Sequence, residues 1–191
     1  MDRIGPRKRN RLENFDYSEN NIYFVTICTK NKMDWLGEVD NGCMKLNGFG
    51  LIAEKQWIWI NEQYTYIELD EFIIMPNHLH GMIAITNKVG TSRDLSNQNI
   101  NPNRFVGTGF DLSIKIRKIK SLPEIIGAFK TTSSKSIHES GLNEFAWQRS
   151  YYDHIIRDEK SLNSIREYIH NNPLKWELDK DGVENIFVSD W

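Results

Sequence analysis

YIELDEFIIMPNHLHGMIAIT, residues 66–86, decides the fold. Two runs rich in Ile, Phe and Met flank Pro76-Asn77, a dipeptide that marks a turn. Tyr66 to Met75 therefore reads as a core strand, and His78 to Thr86 as the strand returning beside it. On the N-terminal side, Gly50 to Gln63 reads as a helix, although its apolar positions Leu51, Ile52, Ile58 and Trp59 fit a helical stripe only roughly. Before it, Leu36–Val39 and Met44–Leu46 are short strand-like pieces around Asp40-Asn41-Gly42, the composition of a tight hairpin turn. Asn21 to Thr29 (NIYFVTICT) is β-branched and aromatic and reads as a buried strand. On the C-terminal side, Ser121-Leu122-Pro123-Glu124 combines a capping box with proline in the first turn. A helix is expected from there to about His138, with Leu122, Ile126, Phe129 and Ile137 on one face. Phe145 to Ile156 reads as a further strand, and Asp158 can cap a last helix ending at Pro173. Setting the hairpin aside, the order is β-α-β-β-α-β. That order predicts an α+β fold: a ferredoxin-like antiparallel sheet with helices on one face, plus a C-terminal helix.

The 191 residues suit one domain, with ordinary hydrophobic (39%) and charged (26%) content. Residues 1–18 read as a basic arm, 19–176 as the folded domain and 177–191 as an acidic tail. Residues 87–120 are rich in Asn, Ser and Gly and read as a flexible insertion. No run approaches the ~20 apolar residues that span a bilayer, and no secretory pattern is visible. Two cysteines, Cys28 and Cys43, make neither a disulfide framework nor a zinc pattern. A cytoplasmic protein with no membrane partner is the expectation. Net charge is −2, yet Arg3, Arg7, Lys8, Arg9 and Arg11 cluster in the arm. Such clusters are either solvated surface or phosphate contacts.

His78-Leu79-His80 is the sharpest local feature. Side chains alternate along a strand, so both imidazoles share a face and can share one metal ion. By itself the pair is weak evidence, because surface strands also carry His-x-His. Its place at a sheet end, between two apolar strands, strengthens it. Further on, Leu162, Ile165 and Ile169 form the apolar stripe of the last helix, opposite Asn163, Glu167, His170 and Asn171. Tyr168 and Asn172 lie four apart at the border of that stripe. On helix geometry alone, an amphipathic tyrosine pointing its hydroxyl outward is the favoured account of this placement. Asn172 also precedes Pro173, and such residues avoid the helical conformation.

With both elements in view, the sequence resembles the single-tyrosine HUH transposases, and in particular the REP-associated tyrosine transposases of bacteria. The resemblance rests on Met75-Pro76-Asn77-His78-Leu79-His80-Gly81, on the long run WQRSYYDHIIRDEKSLNSIREYIHNNPLK from Trp147 to Lys175, and on the opening basic arm with Tyr23-Phe24-Val25-Thr26-Ile27. It covers nearly the whole chain and is weakest over 87–120. The resemblance implies that Tyr168 is a nucleophile forming a 5′-phosphotyrosine link, and that Asn172 joins His78 and His80 around Mg²⁺ or Mn²⁺. Two imidazoles alone would favour zinc, iron or nickel. A site of two histidines and one amide leaves positions for water and phosphate oxygens, which suits a hard ion. The implied partner is single-stranded DNA bearing a hairpin, with a homodimer left open. Arg7, Arg9, Arg11, Lys130, Arg149 and Arg157 are candidate phosphate contacts. Trp147, Tyr151 and Tyr152 are candidate stacking platforms. His154 and His170 are candidate proton carriers, although a structural or solvent-exposed role is the favoured reading for both. The competing reading is a non-catalytic ferredoxin-like nucleic-acid-binding module.

Overall fold

The computed structural model describes residues 15–86 and 119–178. Expectations placed on residues 1–14, 87–118 and 179–191 lie outside the described residues, whereas Tyr17, expected in the arm, is buried in the core and stacked on Tyr23 at 5.8 Å. Six strands and four helices follow in the order β1 (Asn21–Cys28), β2 (Gly37–Asp40), β3 (Cys43–Leu46), α1 (Gly48–Gln63), β4 (Ile67–Met75), β5 (His78–Ile85), α2 (Leu122–Glu139), β6 (Tyr152–Ile156), α3 (Glu159–His170) and α4 (Asn172–Leu178). The main sheet runs β4-β5-β1-β6, and each neighbouring pair is antiparallel. This is the ferredoxin-like order expected from β-α-β-β-α-β. β2 and β3 form a separate hairpin. Its turn residues Asn41 and Gly42 both have positive φ (51° and 68°), as a two-residue hairpin turn of this hand requires.

Both faces of the sheet are covered. Tyr23, Val25, Ile27, Leu79 and Ile83 point to one face, where Trp57 and Ile60 of α1 and Ile126 and Phe129 of α2 complete the larger core. Phe24, Met82 and Ile156 point to the other, where Ile165, Tyr168 and Ile169 of α3 cover them. Period-two alternation along β1 and β5 thus separates a structural face from a second face that carries both histidines.

Four expectations are corrected in detail. The buried stripe of α1 is Ala53, Trp57 and Ile60, whereas Leu51 and Ile58 are exposed. Trp57 seats its ring over Gly81, where an added Cβ would lie 2.5 Å from the indole, so a residue on a distant strand sets the helix's rotation. α1 also starts two residues early, because Asn47 accepts from the amides of Phe49 (2.9 Å) and Gly50 (3.0 Å). The strand expected over 145–156 exists only from Tyr152. Upstream, Lys30 N donates to Ala146 O (2.7 Å) and Gln148 N to Cys28 O (2.8 Å), and Lys130 Nζ donates to the carbonyls of Gln148 (2.9 Å) and Ser150 (3.1 Å). The two backbone bonds make an isolated antiparallel bridge between Thr29 and Trp147, and the chain curled around the ammonium interrupts the ladder between that bridge and β6. Finally, the last helix stops at His170 and a new short helix begins at Asn172. Pro173 has no N–H and disfavours helix in the residue before it, so the break falls there.

Candidate active site

β5 holds His78 and His80 on the face away from α1 and α2, each about 2% exposed. Their ring centroids are 4.5 Å apart. Burial strips both rings of water and drives their pKa values down. His78 falls to about 3, with the Lys32 ammonium adding to the effect, and His80 falls well below the ordinary range, with His78 adding. Both are therefore neutral imidazoles at physiological pH, the form that can offer a lone pair.

Each ring is held at Nδ1. Thr26, directly across the ladder on β1, places Oγ1 2.7 Å from His80 Nδ1. Asn77 Oδ1 lies 2.9 Å from His78 Nδ1. This leaves Nε2 of each ring for the site. His80 Nε2 meets the Tyr168 hydroxyl at 3.1 Å, with Phe24 stacked on the His80 ring at 5.4 Å.

α3 delivers Tyr168. Asp158 caps the helix through Ser161 N (2.8 Å), and Ile165 and Ile169 bury its inner stripe. Arg166 ties it to β4, donating from Nε (3.0 Å) and Nη2 (2.6 Å) to the two carboxylate oxygens of Asp70. Asp70 sits where the β4–β5 register shifts between Leu69 and Phe72, so the bulge turns the carboxylate towards the helix. The Arg166 contact holds the Asp70 carboxyl below its usual range.

Tyr168 is 7% exposed and Asn172 5% exposed. Burial pushes the phenol's pKa well up, and a hydrogen bond from Asn172 opposes it. The two residues meet across the break between α3 and α4 rather than along one helix. Past the break, Lys175 Nζ lies 5.2 Å over the Tyr168 ring and Trp176 packs 5.6 Å from His78.

The structure thus brings together His78, His80, Tyr168 and Asn172 from one chain. Arg149 and Arg157 are exposed on either side of β6. Lys130 differs from expectation: its ammonium is occupied by backbone carbonyls and lies 5.3 Å over the Tyr151 ring, so its geometry is that of a strut. Trp147 and Tyr151 are core residues, Trp147 donating to Ser133 Oγ (2.9 Å). Tyr152, opposite Thr26 in the register, is 42% exposed. His154, opposite Phe24, is half-buried with a pKa lowered by burial and by Arg157. His170 is exposed. Arg7, Arg9 and Arg11 fall outside the described residues.

Among the described residues, no group of three or more His, Cys, Asp or Glu side chains is arranged to hold an ion. The donor set here is two imidazoles and an amide, with both Nδ1 atoms engaged by neutral oxygens, an outer shell typical of ion-binding histidines. That set fits a hard divalent ion that takes its remaining ligands from water and phosphate.

A family model described as "Transposase IS200 like" matches residues 110–172. That span takes in α2, β6 and α3, the helix that carries Tyr168. An uncharacterised protein of Haemophilus influenzae is 36% identical over 177 residues, covering 93% of each chain. The chain belongs to the IS200-like transposase family. A provisionally named REP-associated tyrosine transposase of Haemophilus influenzae is 24% identical over 193 residues, covering 92% of this chain and 90% of that protein. The structure of a REP-associated tyrosine transposase bound to a REP hairpin superposes with a TM-score of 0.54 at 17% identity, covering 88% of this chain and 73% of that one, and shares the fold. Membership makes this transposase a DNA-binding, DNA-cleaving protein. Among the described residues, no helix is long and apolar enough to cross a membrane.

Residues that the sequence alone did not single out complete the site. Thr26, Asn77, Phe24, Lys175 and Trp176 all touch it. Period-two spacing on β1 offers Thr26 as a partner only once the β1–β5 register is known.

Proposed function

We propose that this transposase cuts and rejoins single-stranded DNA beside a hairpin, through a covalent 5′-phosphotyrosine link on Tyr168. The observation that carries the reading is the 3.1 Å contact between the Tyr168 hydroxyl and His80 Nε2, in a buried pocket shared with His78 and Asn172. The hairpin preference is supported by the REP hairpin held by the structural relative.

A phenol is a weak nucleophile near neutral pH, and burial weakens it further here. Two features favour the phenolate. Asn172 hydrogen-bonds to it, and the Lys175 ammonium sits over the ring where negative charge would spread. Tyr168 Oη then attacks the scissile phosphorus. The new P–O bond forms as the bond to the 3′ oxygen breaks; the phenol releases its proton to solvent, and the departing 3′ oxygen takes one up from solvent to leave as a 3′-hydroxyl. The exchange conserves a phosphodiester, so reversal reseals the strand without a nucleotide cofactor. His78, His80 and the carbonyl oxygen of Asn172 would hold Mg²⁺ or Mn²⁺, which supplies Lewis-acid polarisation of the phosphate. One lone pair on His80 Nε2 cannot serve the phenol and an ion together. In the metal-free protein that lone pair faces the Tyr168 hydroxyl, and an ion there would take its place. Arg149 and Arg157, with Arg7, Arg9 and Arg11 of the arm, supply phosphate contacts, and Tyr152 stacks on a base.

The test is a denaturing gel after incubation with hairpin-bearing single-stranded DNA and Mg²⁺ or Mn²⁺. The expected result is a protein–DNA band of raised mass that Tyr168→Phe eliminates while leaving DNA binding intact. Cut DNA without that band would indicate activation of water, and a gel shift without cutting would indicate a binding module. Either outcome overturns the reading.

A further inference from the structure

The turn that leads into His78 is gripped by a segment more than forty residues upstream. Thr29 N (2.8 Å) and Thr29 Oγ1 (3.0 Å) donate to Asn77 O, and Leu36 N donates to Pro76 O (3.0 Å). Within this grip the Asn77 side chain is fully specified. Its Nδ2 donates to Lys32 O at 3.1 Å and to Asp34 Oδ1 at 2.8 Å. Both partners only accept, so the amide cannot be turned over without setting oxygen against oxygen. Oδ1 must therefore face His78 Nδ1, 2.9 Å away. An amide oxygen only accepts, so His78 Nδ1 must carry the hydrogen. Nε2 is then bare.

The situation of His80 differs. Its Nδ1 faces a hydroxyl, Thr26 Oγ1, and its Nε2 faces another, Tyr168 Oη. A hydroxyl donates or accepts, so either tautomer of His80 satisfies both contacts. One imidazole of the pair is fixed and the other is free to exchange its proton.

We propose that Asp34 and Asn77 are positioning residues that lock His78 in its Nδ1–H tautomer, presenting Nε2 as a permanent lone pair, while His80 keeps the freedom to trade hydrogen with Tyr168. The chain from carboxylate to amide to imidazole also passes part of the Asp34 charge to the ring and strengthens Nε2 as a donor atom. The use of the lock rests on the catalytic reading above, in which both rings must present Nε2: His78 is preset in that state, and His80 reaches it only by releasing the Tyr168 hydroxyl. The tautomer lock itself stands on the hydrogen-bond network alone.

Nitrogen-15 imidazole spectra of the metal-free protein read the tautomer directly. The expected result for the wild type is a His78 ring protonated at Nδ1 alone. Asn77→Ala releases the ring to the Nε2–H form or to a mixture. Asp34→Ala loosens the amide and gives a partial shift. Asp34→Asn retains an acceptor oxygen for Asn77 Nδ2 and restores the wild-type spectrum. Mn²⁺ titration of the same proteins gives the second readout: Asn77→Ala weakens binding by roughly tenfold to a hundredfold, and Asp34→Asn binds more tightly than Asp34→Ala. A His78 tautomer unchanged in both alanine variants, each verified as folded by circular dichroism, overturns the proposal. So does a wild-type ring protonated at Nε2. If the spectra behave as expected and the wild type binds no Mn²⁺, the lock stands and the ion-dependent mechanism is what fails.

Discussion

Two imidazoles without water make this protein sensitive to acid in a defined window. In the unfolded chain both histidines titrate near the ordinary value of 6.5, and in the folded protein His78 titrates at about 3 with His80 also far down. The unfolded state thus binds more protons between those limits. Stability is complete above about pH 6.5 and is lost progressively as pH falls towards about 3. Urea midpoints of the metal-free protein, measured from about pH 7 down to about pH 4, should fall. His78→Gln or His80→Gln should flatten the decline. The same midpoints unchanged across that range would contradict the buried, neutral state of both rings. At this scale the sequence is informative about which residues meet and silent about how they are held. His-x-His spacing on a strand places two rings on one face by geometry alone. The tyrosine and asparagine are legible from the resemblance, and Pro173 correctly signals a disturbance at Asn172. The partners Thr26 and Asp34 are 54 and 43 residues distant from the side chains they contact, and no local pattern in the chain reports such pairings.

Among the elements, β5 serves two cores at once. Its one face supplies His78, His80 and Met82, and its other supplies Leu79, Gly81 and Ile83. Gly81 is the thin point, because the Trp57 ring occupies the space where a side chain would stand. Gly81→Ala should cost about 1–3 kcal/mol by overpacking, read as a lowered urea midpoint. It should also slow adduct formation, since β5 or Trp57 must yield and His80 lies next to the strained residue. A glycine substitution without effect on either measurement would show that α1 can shift freely. This contact also explains why the helix stripe is hard to read from sequence. Leu51 and Ile58 are as apolar as the residues that are buried, and only the notch at Gly81 selects Trp57 as the inward side chain. The strands β1 and β5, by contrast, are plain, because interior strands covered on both sides are apolar along most of their length. β6 reads as too long for a related reason: Phe145, Trp147 and Tyr151 are buried aromatic residues in a looped segment, and burial alone does not distinguish a loop pinned by Lys130 from a strand.

For the whole molecule, a net charge of −2 requires that DNA be attracted by the arrangement of cations rather than by their sum. Arg149 and Arg157 are exposed and flank the short strand β6 in sequence. Replacing both with Ala should weaken binding of single-stranded DNA and reduce the slope of log affinity against log salt by about 0.7 for each phosphate that is no longer neutralised. An unchanged slope would remove them from the interface. The sheet order β4-β5-β1-β6 has one more consequence. The histidines ride on a strand bonded on both sides, Thr26 rides on its equally enclosed neighbour, and Arg166 fastens the nucleophile's helix to the strand beyond. Fraying at the β6 margin leaves the pairing of His80 with Thr26 untouched, whereas fraying of β4 releases the Arg166 anchor of α3. The residues proposed to react therefore share their support with the mechanical centre of the sheet, and loss of one entails loss of the other.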